Sequence, residues 1–147
     1  MTDTQTQSRT EGRSRAHARW GWTLLFVSLT FGVVLEAMEG FRWAPLVGDA
    51  WAHRLWSLAH FHGAALGVLH LVYVGWADAP ALSEASRRWA SGLLRAGSLA
   101  LPLGFLLGGI AHPEGDPSLG IVFAPVGAVA VLVAVALQML GSWRSRG

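Results

Sequence analysis

The chain has 147 residues, enough for one domain, and is 52% hydrophobic with only 14% charged residues, against about 25% charged in a soluble domain. Its formal net charge is +2, and all eleven basic residues are arginines near the chain ends and connections, a distribution that argues against a nucleic-acid-binding face. There is no cysteine, so disulfides, thiolate metal centres and cysteine catalysis are excluded.

Residues 1–15, MTDTQTQSRTEGRSR, are polar and aperiodic and predict a disordered cytoplasmic tail, leaving 16–147 as a single membrane domain. Four uncharged apolar runs follow, from Trp20 to Leu35, Leu55 to Ala77, Ala96 to Ala111 and Leu119 to Trp143. A helix crossing a bilayer needs roughly 17–25 mainly apolar residues. The second and fourth runs suffice alone. The first reaches that length with Glu36 to Met38 in the headgroup zone. The third reaches it by extending back through Ser91, with Arg95 snorkelling to the interface. Spanning helices are therefore predicted near 20–40, 55–77, 90–111 and 119–143. Glu36 and Glu39 flank the first run and no A-x-A site follows it, so it reads as an uncleaved helix rather than a signal peptide. Asp78 or Ser83 is the expected cap of the third helix, and Pro102 and Pro125 are expected to bend the third and fourth.

The tryptophans and arginines orient these helices. Trp20, Trp22, Trp76, Trp89 and Trp143 fall at one set of ends and Trp43, Trp51 and Trp56 at the other, as interfacial belts require. Arg9, Arg13, Arg15 and Arg19 precede the first run, Arg87, Arg88 and Arg95 flank the second connection, and Arg144 and Arg146 follow the last run. The positive-inside rule then puts both termini in the cytoplasm. The fold expected is all-α, an integral membrane four-helix antiparallel bundle in a bacterial cytoplasmic (inner) membrane. Gly63-x-x-x-Gly67 and Gly104-x-x-x-Gly108 supply small faces for close helix approach, with the facing helix left open.

The stretch HFHGAALGVLH, from His60 to His70, places three histidines in an apolar segment. On a helical wheel His62 lies about 200° from His60 and His70 about 280°, so His60, His70, Gly63, Ala64 and Gly67 share one face. His60 and His70 are about 15 Å apart along the axis, too far for one metal ion. The predicted topology brings Glu36, Glu39, His53, His60, His62 and His112 to the outer membrane level, while His70 lies in the cytoplasmic half. Ionisable residues inside a membrane mark functional sites by default. Imidazole with carboxylate suits a transition metal, and imidazole beside a glycine-lined cleft suits a haem edge.

The segment from Gly32 to Val74 has an ascending helix ending in glutamates, then an arginine, then Arg54, His60, His62 and Gly63 opening a descending helix. This layout resembles small four-helix bacterial membrane proteins and, more remotely, the early helices of haem–copper oxidase and nitric oxide reductase large subunits. The resemblance covers about a third of the chain and implies that His60 or His62 matches a low-spin haem ligand. Further ligands of that family lie in later helices that this chain lacks. A haem here would draw its second ligand from His112 or from a second copy of His60.

Three functions are expected. The first is haem or metal binding, through His60, His62 and His112 as cofactor ligands and Glu36, Glu39 and His60 as metal ligands. The second is an oligomeric proton- or ion-conducting bundle with His70 on the path. The third is a non-catalytic subunit docked by its glycine faces onto a larger membrane complex. The bilayer is the expected environment, with a homo-oligomer or larger complex as partner and no nucleic acid. Ser57 precedes His60 by three residues, but no acid on that helix would orient the ring, so no catalytic residues are assigned.

Overall fold

The computed structural model describes residues 2–76 and 81–144, which are all helix, turn or loop, with no strand among the described residues. Helix α1 spans Thr2–Gly40, the short α2 Ala44–Val47, α3 Ala50–Trp76, α4 Glu84–Gly108 and α5 Phe123–Arg144, with a 3-10 turn over Leu119–Val122 before α5. Within α1, α3, α4 and the last unit, four helical stretches are long and apolar enough to cross a membrane. In lipid each backbone polar group needs an internal partner, which a helix supplies and an exposed strand does not.

The helix ends follow local chemistry. Asp49 Oδ1 accepts from the backbone N–H groups of Trp51 and Ala52, each at 3.0 Å, and opens α3. Ser83 caps α4 by accepting from Ser86 N–H at 3.2 Å, while Asp78, the other candidate, lies outside the described residues. Beyond the ends of α1 and α4, Arg42 (φ 51°) and Ala111 (φ 48°) enter the left-handed region, which turns the chain. Two expectations are corrected. Residues 2–15, read as a disordered tail, continue α1 as helix, and Arg13 on that extension bonds Glu84 at 2.7 Å. Pro125 sits in the first turn of α5, where no N–H is required, rather than bending its interior as Pro102 is placed to do in α4.

Large apolar side chains such as Phe26, Val33 and Leu132 face outward, while the helix contacts are built from small residues. Gly21 meets Gly67, Gly63 meets Ser28 and Gly32 meets His60, so positions climb α1 as they descend α3. On the other side Gly97 packs on Gly127 and Val131, Gly104 on the Ala124 backbone and Gly108 on Ile121. The glycine faces left open by the sequence are thus used within the chain, on α1 and on the segment leading into α5. Between the two pairs, α3 and α4 share two apolar clusters, Leu66 with Leu101 and Ala124, and Tyr73 with Leu94 and Ala134. Among the described residues α1 does not touch α5. The helices stand in the order α1, α3, α4, α5 as an open row and do not close around one core.

Candidate functional site

The most buried polar groups lie where α1, α3 and α4 meet, in the half of the helices near the arginine-rich connections. His17, His70 and Ser98 are 0% exposed and Ser91 is 4% exposed, so water does not reach them. A buried polar group without a partner costs about 1–3 kcal/mol, and here each is partnered. His17 Nδ1 and His70 Nδ1 are 2.7 Å apart. His17 Nε2 lies 2.8 Å from Ser91 Oγ, and His70 Nε2 lies 2.9 Å from Ser98 Oγ. Trp20 Nε1–H donates to Ser98 Oγ at 3.0 Å, and the Ser98 hydroxyl donates to the Arg95 carbonyl at 2.9 Å. The Tyr73 ring covers His17 with centroids 4.3 Å apart, and the two imidazoles meet edge to edge, centroids 4.9 Å apart and planes 29° apart.

Hydrogen-bond chemistry orders the protons. Indole N–H only donates, and the Ser98 hydrogen is engaged by Arg95, so His70 Nε2 must donate to Ser98. In a neutral ring its Nδ1 is then an acceptor. His17 Nδ1–H therefore donates to His70, and His17 Nε2 accepts from the Ser91 hydroxyl. The chain runs Ser91 to His17 to His70 to Ser98 with every link used. Rotating the Ser98 hydroxyl toward His70 permits the reverse order, with each ring in its other tautomer. One connected network with two proton orders is what a relay requires.

Local sequence builds this arrangement. His17, Trp20 and Gly21 fall on one face of α1, where Gly21 lets α3 approach and bring His70 against His17. Ser91 and Ser98, two turns apart on α4, face the same junction. Pro102 has no N–H to give the Ser98 carbonyl four residues earlier, which loosens α4 at this level.

The residues expected at the outer end are placed differently. His60 is half-buried on α3, donates Nδ1–H to the Ser28 carbonyl at 2.8 Å, and has its ring against Gly32. His62 donates to Leu58 O at 2.8 Å within its own helix and lies against Phe105. His112 donates to Pro113 O and pairs with Asp49, both at 2.8 Å. Glu39 approaches His53 at 3.6 Å, and Glu36 is exposed. His60, His62 and His112 thus each take different partners. Among the described residues no three histidines, aspartates or glutamates gather into a group that could hold a metal ion. Among the described residues His60 with Glu36 and Glu39 gives no such group, and the His60 ring lies against Gly32 of α1.

The His112–Asp49 pair ties the start of α3 to the loop after α4. Donation to the Pro113 carbonyl, reinforced by Asp49, holds the His112 imidazolium above its usual range. The Ala52 N–H, with His112 and Trp51 N–H, holds the Asp49 carboxyl below its usual range.

His17 is the site residue that the sequence reading passed over, because it stands among arginines between the tail, 1–15, and the first apolar run at Trp20. A signal was present. His17, Gly21, Ser28 and Gly32 form a polar and small stripe at helical spacing that matches His60, Gly63, Gly67 and His70 on α3. No family model matches the chain, and no curated protein or solved structure matches it.

Proposed function

We propose that this is a multi-pass protein of the bacterial cytoplasmic membrane that handles protons through the His17–His70 pair. The single observation that carries this reading is the buried hydrogen-bonded chain Ser91–His17–His70–Ser98. In the reading, the helices cross as an antiparallel set with both termini cytoplasmic. Two observations support that arrangement: the arginine distribution, and the pairing of rising α1 positions with falling α3 positions. The network then sits in the cytoplasmic half.

The relay works by exchange. A proton taken by His17 Nε2 through Ser91 makes an imidazolium, which passes its Nδ1 proton to His70 Nδ1. His70 then presents its Nε2 proton at Ser98 Oγ; the Ser98 hydrogen is held by the Arg95 carbonyl, so the proton leaves only when that hydroxyl turns away and the parting helices admit water as its acceptor. Both rings end in the opposite tautomer, and a return transfer or ring rotation resets them. Toward the outer face the next ring of α3 that faces α1 is His60, about 15 Å away along the axis, while His62, about 12 Å away, turns to Phe105 on α4. Between His60 and His70, Gly63 and Gly67 lie against α1, so the lane is closed in this structure and opening it requires α1 and α3 to part. The open row of helices is too thin to wall a pathway alone. A homo-oligomer, or a larger membrane complex, supplies the rest.

The test is proton flux into liposomes loaded with a pH-sensitive dye and driven by a potassium gradient with valinomycin. His17→Gln and His70→Gln keep an amide that can hydrogen-bond but remove the proton-exchanging ring. Flux above that of empty vesicles is expected for the wild type, falling to baseline in both variants with helical content unchanged. Wild-type flux equal to empty vesicles, or flux indifferent to both substitutions, overturns the reading.

A further inference from the structure

Beside Ser91 lies a cleft of about 400 Å³ lined by Gly12, Arg13, Ala16, Arg88, Ser91 and Arg95. Three arginines, one from α1 and two from α4, line it. The carboxylate bonded to this set is Glu84, at 2.7 Å from Arg13 Nη2. The Arg13 side chain is only 10% exposed, and its Nη1 is buried with no hydrogen-bond partner among the described residues. An unpaired buried donor on a cation, beside two more cations, is costly unless an anion completes the group. Gly12 leaves the mouth open, since a methyl added there would meet nothing within 4 Å.

We propose that this cleft binds a phosphate group. Arginine offers a planar fork of donors that matches phosphate oxygens in pairs, which a lysine cluster would not. Arg88 and Arg95 project from α4 about one and three turns into the helix, while Arg13 comes from α1, so a tetrahedral anion is gripped from two helices. Trp89 follows Arg88 directly, and Trp20 and Trp22 stand on α1 beyond Arg13, so the cleft is level with the interfacial tryptophan belt. Phosphate at that level comes either from an anionic lipid headgroup or from soluble phosphate. Glu84 neutralises part of Arg13 and orients it, leaving Arg88 and Arg95 to supply most of the attraction.

The test uses full-length protein in nanodiscs and the double substitution Arg88→Gln with Arg95→Gln, which leaves the Arg13–Glu84 contact in place. In phosphatidylcholine discs, inorganic phosphate is titrated and followed by phosphorus NMR. In discs doped with phosphatidic acid, lipid retained by the protein is counted by native mass spectrometry. Loss of charge-assisted contacts is expected to weaken binding by about tenfold or more, with Arg88→Lys and Arg95→Lys together restoring only part of it. Saturable inorganic phosphate assigns the soluble source, and retention of phosphatidic acid without it assigns the headgroup. No binding of either probe, or binding equal in wild type and double variant, overturns the proposal. Proton flux does not enter this measurement, so it stands or falls apart from the relay.

Discussion

His17 and His70 share a single hydrogen between their Nδ1 atoms. Two Nδ1–H groups face to face would clash, so nitrogen-15 NMR of the histidines is expected to show one ring protonated at Nδ1 and the other at Nε2. Replacing His70 by alanine strands His17 Nδ1 and removes a donor from Ser98. Each stranded group costs about 1–3 kcal/mol, so a large fall in thermal midpoint in detergent is expected for His70→Ala, and a smaller one for His70→Gln. The His112–Asp49 pair responds to pH instead. His112 is held above its ordinary 6.5, so its contribution is complete below that value and is lost as pH rises through the raised value. Asp49 is held below its ordinary 3.8, so its contribution is complete above that value and is lost as pH falls through the lowered one. The midpoint difference between wild type and His112→Asn is expected to be largest between these limits and to shrink on both sides.

Glycines decide how closely the helices approach. At Gly104 an added methyl would strike the Ala124 backbone, which cannot move without shifting α5. At Gly92 it would meet nothing within 4 Å, and alanine is the better helix former by about 1 kcal/mol. Gly104→Ala is therefore expected to lower the thermal midpoint and Gly92→Ala to hold or raise it. The comparison isolates packing from propensity, since both residues lie inside α4. The same logic explains why the polar network stands where it does. Gly21 and Gly67 bring the α1 and α3 backbones close enough for two short imidazole side chains to meet.

The open row leaves α1 and α5 each with an unpartnered flank of large apolar residues, as lipid or further copies require. The proposed orientation is checked by labelling, and the absence of natural cysteine makes single replacements unambiguous. A membrane-impermeant maleimide is expected to label Glu114→Cys in intact cells, and to reach Glu11→Cys and Ala85→Cys only after permeabilisation. Labelling of Glu11→Cys from outside would invert the topology and move the histidine pair to the outer half.

The helical character, the number of membrane-length segments and the capping by Ser83 were legible in the linear chain, because lipid solvation demands long apolar runs and caps act within a few residues. The extent of α1 was not, since a polar, aperiodic composition carries no buried face to read. Nor was the partner of any histidine. His70 was legible as an inward ring, yet its ligand-like companions at the outer end proved to have separate partners, while His17 lay fifty-three positions away among arginines. Side-chain pairing depends on which helices become neighbours and at what depth they register. Only the packing of Gly21 on Gly67, and of Ser91 and Ser98 against both rings, decided that.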